Sequence, residues 1–529
     1  MTARQVFSGE LVGLTLLAVS YALLLAEPLP IAIVEAANVI GPALLMAILG
    51  IGVLYSFGRL PYPIMAPAVW FRVAVAVYFG IGAIFAALVT GEVRDYLRAL
   101  YPFDAEMLLR LNLLNAVGTL AALIGIASGD RLLSAFASGR SVRALHAMVP
   151  GSRGMLAKGA ASPPSPRRGQ TRFYGETAPN WLEQPRTIRI GMLWLCIGLP
   201  WRILVDLPNA FGLFEVVVPG VFNLLGLARL AGYAMVLATR SGRWANIRLL
   251  TWLIWAADLS LGLASFAKTD TLLLGFAIVL SLALGGARPR MLGLALMALF
   301  ALYAAVRPIV DFGRERVFER YGSLLGAGLE ERMGYVVDAL AGARARQMFA
   351  AETSSWAWLL RFSYANAQAF VVSRYDEGNP GDTGSAEYLL TILVPRIVWA
   401  DKPIVSHVGR DLYNLVTGAE GTSIAAGVFA EAYWNGGWLS VAIWSSYVGM
   451  IIALLTSLTS KILTEGRPLQ IPFVLSAMVL AARIDDWFGM TYVGGAALLF
   501  LLFFLTSVVE RYTAFRRAPR WQRPSMRWT

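Results

Sequence analysis

Cysteine is nearly absent: Cys196 stands alone in 529 residues, inside an apolar run. A single thiol excludes an intrachain disulfide framework and a thiolate metal cluster, and it reads as a small core residue. Histidine is almost as scarce, with two in the chain. No cluster of His, Cys and Asp has metal-ligand spacing, so no metal and no cofactor is expected. There is no Walker A sequence, so ATP does not drive the protein directly. Charge is sparse too, at 15% of residues against 57% hydrophobic. That much apolar surface exceeds what one water-soluble core can bury, so the expected class is an all-α polytopic membrane protein. The first apolar run, about 6–26, lacks a strongly basic leader and reads as a retained helix.

What is present is a succession of apolar runs. At about 20 residues per crossing, twelve spans are expected near 8–26, 31–57, 66–90, 107–128, 189–207, 216–239, 249–267, 271–286, 291–306, 438–460, 469–487 and 489–509. Charge sets their direction. The segment 129–188 holds nine Arg or Lys against three acids, which puts it in the cytoplasm. Basic residues at 240–248, 288–290 and 461–467 and the tail 511–529 fall on the same side, so both termini are expected inside. The net charge of +12 is then explained by orientation, and no nucleic-acid partner is needed. The expected layout is spans 1–9 over residues 1–306, an outer loop 307–437, and spans 10–12 over 438–510.

That outer loop carries twelve cations and fifteen acids, a net of 12 − 15 = −3, with a helical stretch expected over 330–352. Within it, Leu393–Pro403 reads LVPRIVWADKP and is followed by His407. Two cations, a carboxylate, an indole and an imidazole stand together where a phosphate-bearing lipid could meet them. The neighbouring Gly418–Trp438 stretch adds Glu431 and Asn435 just ahead of a span.

These elements resemble the Wzy-type oligosaccharide repeat-unit polymerases of bacterial polysaccharide export. The resemblance rests on Pro395, Arg396, Trp399, Lys402 and Pro403, then Glu431, Asn435 and Gly437, with a large late outer loop among many spans. It implies a glycosyltransferase-C-like membrane bundle in the bacterial cytoplasmic (inner) membrane. The implied reaction moves a growing glycan from one undecaprenyl diphosphate onto the sugar of the next lipid-linked repeat unit. The bilayer, those lipid-linked glycans, a chain-length regulator and a flippase are the implied partners.

Such a reaction releases a diphosphate, already stable as an anion, so it needs cations more than an acid. Arginine suits this because its planar fork binds phosphate oxygens in pairs and keeps its charge. Arg314, Arg316, Arg396, Arg410 and Arg483, with Lys402, are the candidates, and Trp399 and Asn435 join them on the glycan side. His407 is the candidate base, with the carboxylates of Asp401 and Glu431 as rivals. Each has a plainer reading. The Pro-Arg-x-x-Trp element also fits an interfacial anchor, and His407 a packed loop residue. Arg314 and Arg316, alternating with acids, fit a salt-bridged helix, and Glu431 and Asn435, four apart, a helix-end hydrogen bond.

Inside the spans charges are few and informative. Arg229 and Asp258 lie at similar depth on consecutive antiparallel helices, so a structural ion pair is expected, and Arg202 with Asp206 repeats the pattern at four-residue spacing. A ligase that hands the glycan to another acceptor is the near alternative. A lipid-linked oligosaccharide flippase or secondary transporter is the alternative of another class; it would line a central path with charge, whereas here charge concentrates in 307–437 and near Arg483.

Overall fold

The computed structural model describes residues 3–137 (except 59, 61, 99, 100 and 102), 181–322 (except 212 and 214–219), 326–341, 359–394 (except 360, 361, 384 and 385), 399, 408–417 and 424–517. All regular structure among them is helical. In chain order the helices are α1 (Ala3–Ala26), α2 (Ile31–Phe57), α3 (Pro67–Leu88), α4 (Gly91–Arg98), α5 (Ala105–Ala137), α6 (Pro185–Ala210), α7 (Gly220–Ala238), α8 (Ala245–Ala264) and α9 (Lys268–Leu284). They continue with α10 (Pro289–Tyr321), α11 (Leu329–Ala341), α12 (Ala365–Asp376), α13 (Ala386–Leu393), α14 (Val408–Thr417), α15 (Val428–Glu465), α16 (Ile471–Ala482) and α17 (Ala496–Arg517).

Among the described residues, nine helices are long and apolar enough to cross a bilayer. Their outward faces carry bare apolar side chains such as Leu16, Leu23, Leu54, Leu253 and Phe504, which only lipid accommodates at this density. Two expected spans fall short of that length: the run at 271–286 is the 17-residue α9 opening on the polar Lys-Thr-Asp-Thr, and the run at 469–487 stops at Ala482. In the last case the charged Arg483–Asp486 stretch turns away from the helix. The run at 216–239 is described from Gly220, as the 19-residue α7.

The chain folds as two units. One comprises Met1–Phe173, Leu359–Ser460 and Leu480–Gly494; the other comprises Tyr174–Trp358, Lys461–Val479 and Gly495–Thr529. In the first, α1, α2, α3 and α5 pack together, with polar clamps at opposite ends of α2. At one end Asn38 donates to the Ala105 carbonyl (2.7 Å) and accepts from Asn112 (3.0 Å). At the other, Arg72 grips Glu10 in a buried two-pronged pair at 2.9 and 3.0 Å. Gly52 of α2 lies directly against that pair. A Cβ there would sit 1.6 Å from Glu10 Oε1 and 2.9 Å from Arg72 Nε. Gly52→Ala should therefore cost about 1–3 kcal/mol, read as a lower unfolding temperature in detergent. In a Glu10→Ala background the 1.6 Å contact is gone and the released Arg72 side chain is free to shift, so the same change should cost less. Equal costs in both backgrounds would show that Gly52 is not fitted to the pair. Elsewhere α5 and α15 approach to backbone contact: a Cβ on Gly125 would lie 2.0 Å from the Ser446 carbonyl oxygen, and one on Gly449 would meet the Ala122 carbonyl. Small residues are what allow membrane helices this close.

In the second unit α6–α10 form a bundle, and α11 folds back onto the end of α10 around Phe266, Val310, Phe312, Val317 and Val336. Arg229 bonds Asp258 at 2.9 Å, with both side chains 3–4% exposed, and the Tyr233 hydroxyl donates to the same carboxylate oxygen at 3.2 Å. Arg202 and Asp206 each turn to a partner on another helix: Arg202 to Asp258 (3.7 Å) and Asp270 (2.6 Å), Asp206 to Arg229 (3.9 Å). The reason is local, because residues 202–206 form a π turn, in which four-residue neighbours no longer share an α-helical face.

Candidate functional site

The candidate site lies in the first unit, where α5 and α15 begin, α12 ends, and residues 483–488 turn before the π segment Gly489–Gly495. Its scaffold starts at Gly427, held at φ +81°, a value open to glycine, with its backbone against the Ile484 carbonyl. From there the Val428 N–H donates to Ile484 O at 2.9 Å. One turn on, Glu431 is 1% exposed, and its Oε2 accepts the Phe488 N–H at 2.5 Å. The Thr383 hydroxyl bonds the same carboxylate. Asn435, one turn further, donates to Thr383 Oγ1 and to the Glu431 carbonyl, both at 2.8 Å. Glu431 and Asn435 thus share a face and clamp two separate loops onto the head of α15. Just beyond them the helix breaks at Gly436 and Gly437, the latter at φ 62°, ψ −153°.

The turn so fixed carries the charges. Arg483 is 54% exposed and reaches Asp486 at 3.5 Å. Asp486 also accepts from the Trp487 N–H and the Thr491 hydroxyl, both at 2.9 Å. Asp485 accepts from the Tyr364 hydroxyl at 2.9 Å. Burial pushes the Asp485 carboxyl up, against the pull of that hydroxyl. Elsewhere on the head of α15, Arg110 binds Asp376 at 2.6 Å and donates to the Tyr433 hydroxyl at 2.7 Å, while that hydroxyl donates to Asp376 at 3.1 Å. Tyr375 and Trp438 stack edge-on against Tyr433 at 5.0 and 5.2 Å. The ion pair is one-third exposed, so this cluster is wet on one side.

Of the residues singled out from sequence, the structure sets Glu431 and Asn435 on the head of α15, with Glu431 bonded to the turn that carries Arg483. Trp399 is described and 40% exposed. Arg396, Asp401, Lys402 and His407 lie outside the described residues, as does the side chain of Arg410 at the start of α14. Arg314 and Arg316 belong to the other unit. There Arg314 donates to the Phe266 carbonyl at 3.0 Å, and Arg316 pairs with Glu319 at 3.2 Å on its own helix.

Sequence reading passed over Arg110, Thr383, Asp376, Tyr433 and Tyr364, the partner of Asp485. One signal was available: Arg110 interrupts an apolar run, where a charge is costly and so points to a partner or a function. Chemically, the arrangement offers an accessible guanidinium for a phosphate, a carboxyl of raised pKa for proton transfer, and a half-wet polar-aromatic surface for hydroxyl-rich groups. No protein-family model, curated protein or solved structure matches this chain.

Proposed function

We propose that this protein polymerises undecaprenyl-diphosphate-linked oligosaccharide repeat units at the outer face of the cytoplasmic membrane, transferring glycan from one lipid diphosphate to the sugar of another. In this reading the chain crosses twelve times with both termini inside, α7, α9 and α16 completing the count, and residues 307–437 face outward. Arg396, Lys402, Arg410 and Arg483 neutralise the departing diphosphate, so the reaction is metal-independent. His407 accepts the proton of the attacking hydroxyl, with Asp401 as a carboxylate within the same loop. Glu431, buried and fully engaged, acts as a positioning residue that holds the Arg483 turn.

The observation that carries this reading is the Arg483–Trp487 turn: an exposed arginine and two carboxylates, clamped by Glu431 onto a helix head beside an apolar bundle. Such a site suits a substrate with an apolar tail, an anionic diphosphate and a polar sugar. Cells lacking the protein should accumulate single repeat units on the lipid carrier and lose long glycan, read by mass spectrometry of extracted lipids and by gel. An unchanged chain-length distribution would overturn the proposal.

A further inference from the structure

The second unit has a cleft that the transfer chemistry leaves unused. Helix α10 has 33 residues, so it is about 50 Å long, while a bilayer core needs only about 30 Å. Its apolar run covers 291–306, and the charged last turns project past it. Between those turns and α11 lies a cleft of about 640 Å³ lined by Phe312, Arg316, Glu319, Arg320, Tyr335 and Asp338.

The chemistry of this lining is selective. Arg316 is paired with Glu319 at 3.2 Å and Arg320 with Glu331 at 2.9 Å, and Asp338 adds a third carboxylate. Two lining cations against two lining acids, with Glu331 bound to Arg320 from outside the lining, leave no net positive charge to hold a phosphate or another anion. The same groups alternate donors with acceptors, which vicinal hydroxyls need on both counts. Tyr335 supplies an aromatic ring whose negative face attracts the polarised C–H face of a sugar. That ring is already fixed: the Tyr335 hydroxyl donates to Glu331 at 2.7 Å, and the Tyr321 hydroxyl grips the other oxygen at 2.6 Å. The floor is equally rigid, since Phe312 belongs to the core that joins α10 to α11. A wall held in place beforehand loses little freedom when a ligand arrives.

We propose that the α10–α11 cleft binds a neutral saccharide segment, with the sugar ring stacked on Tyr335 and its hydroxyls bonded by Arg316, Glu319, Arg320 and Asp338. The proposal rests on the glycosyl-transfer reading for the glycan's presence at this membrane face. It depends on no step of the transfer, and the two fail separately.

The test uses the full-length protein in detergent on an array of bacterial surface oligosaccharides, followed by calorimetry with the best binder, free in solution and attached to its lipid carrier in nanodiscs. Wild type should bind; Tyr335→Ala should weaken binding about tenfold or more, and Asp338→Asn should weaken it measurably. Excess inorganic pyrophosphate should not compete. Comparable affinity for the two forms identifies a free chain segment as ligand, and tighter binding on the carrier identifies the lipid-linked unit. No binder on the array, displacement by pyrophosphate, or binding unmoved in both variants overturns the proposal. If Tyr335→Ala does not fold, the exposed Asp338→Asn decides alone. Glycan elongation by a protein that binds nothing here would sink only the cleft, and binding without elongation would sink only the transfer reading.

Discussion

Arg229→Ala and Asp258→Ala should each destabilise the protein by about 3–5 kcal/mol, because each strands its partner as an unpaired charge in a low-dielectric interior. Both side chains are 3–4% exposed and meet at 2.9 Å. Asp258 is the hub of the group: it faces Arg229, Arg202 and the Tyr233 hydroxyl, whereas Arg229 retains Asp206 at 3.9 Å. Losing the hub leaves two arginines to share two rim carboxylates, so Asp258→Ala should be the more damaging. Exchanging the residues, as Arg229→Asp with Asp258→Arg, should recover part of the loss, because the pair term is restored while its surroundings are not. Unfolding temperature in detergent reads all three. Single variants as stable as wild type would remove the pair from the account.

His407→Ala should slow elongation by about 10²- to 10⁴-fold, the usual cost of losing a general base, and leave single repeat units on the carrier. Arg396→Lys should be folded yet strongly impaired, because an ammonium replaces a planar fork that binds two phosphate oxygens at once. The contrast between the two variants is informative. A base deletion should act on the turnover step, while a lost diphosphate contact should also weaken the hold on the donor. Normal product ladders from His407→Ala would remove it from the base role and shift attention to Asp485, whose carboxyl burial already pushes up.

Much of the architecture was legible because a bilayer demands long apolar runs, and α1, α2, α3 and α5 announce themselves that way. The Arg229–Asp258 contact was legible for a related reason: residues equally far from a shared turn in antiparallel helices lie at one depth. Arg202 and Asp206 misled, since a π turn alters the facing of four-residue neighbours and sequence gives no sign of it. The Glu10–Arg72 clamp was invisible, because 62 residues separate its members and their meeting depends on how α1 packs against α3. At the site, Glu431 and Asn435 could be placed on one face by spacing alone. Their partners could not: Thr383 and the Phe488 N–H arrive from loops that only tertiary packing brings to α15.

The most direct measurement is elongation by the purified protein, reconstituted in liposomes with a lipid-linked repeat unit and no nucleotide sugar. Glycosyl transfer between carriers predicts a ladder of lipid-linked products at multiples of the repeat unit, with one free lipid diphosphate released per bond formed. Substrate that crosses the bilayer or stays where it was, with no new glycosidic bond, would contradict it.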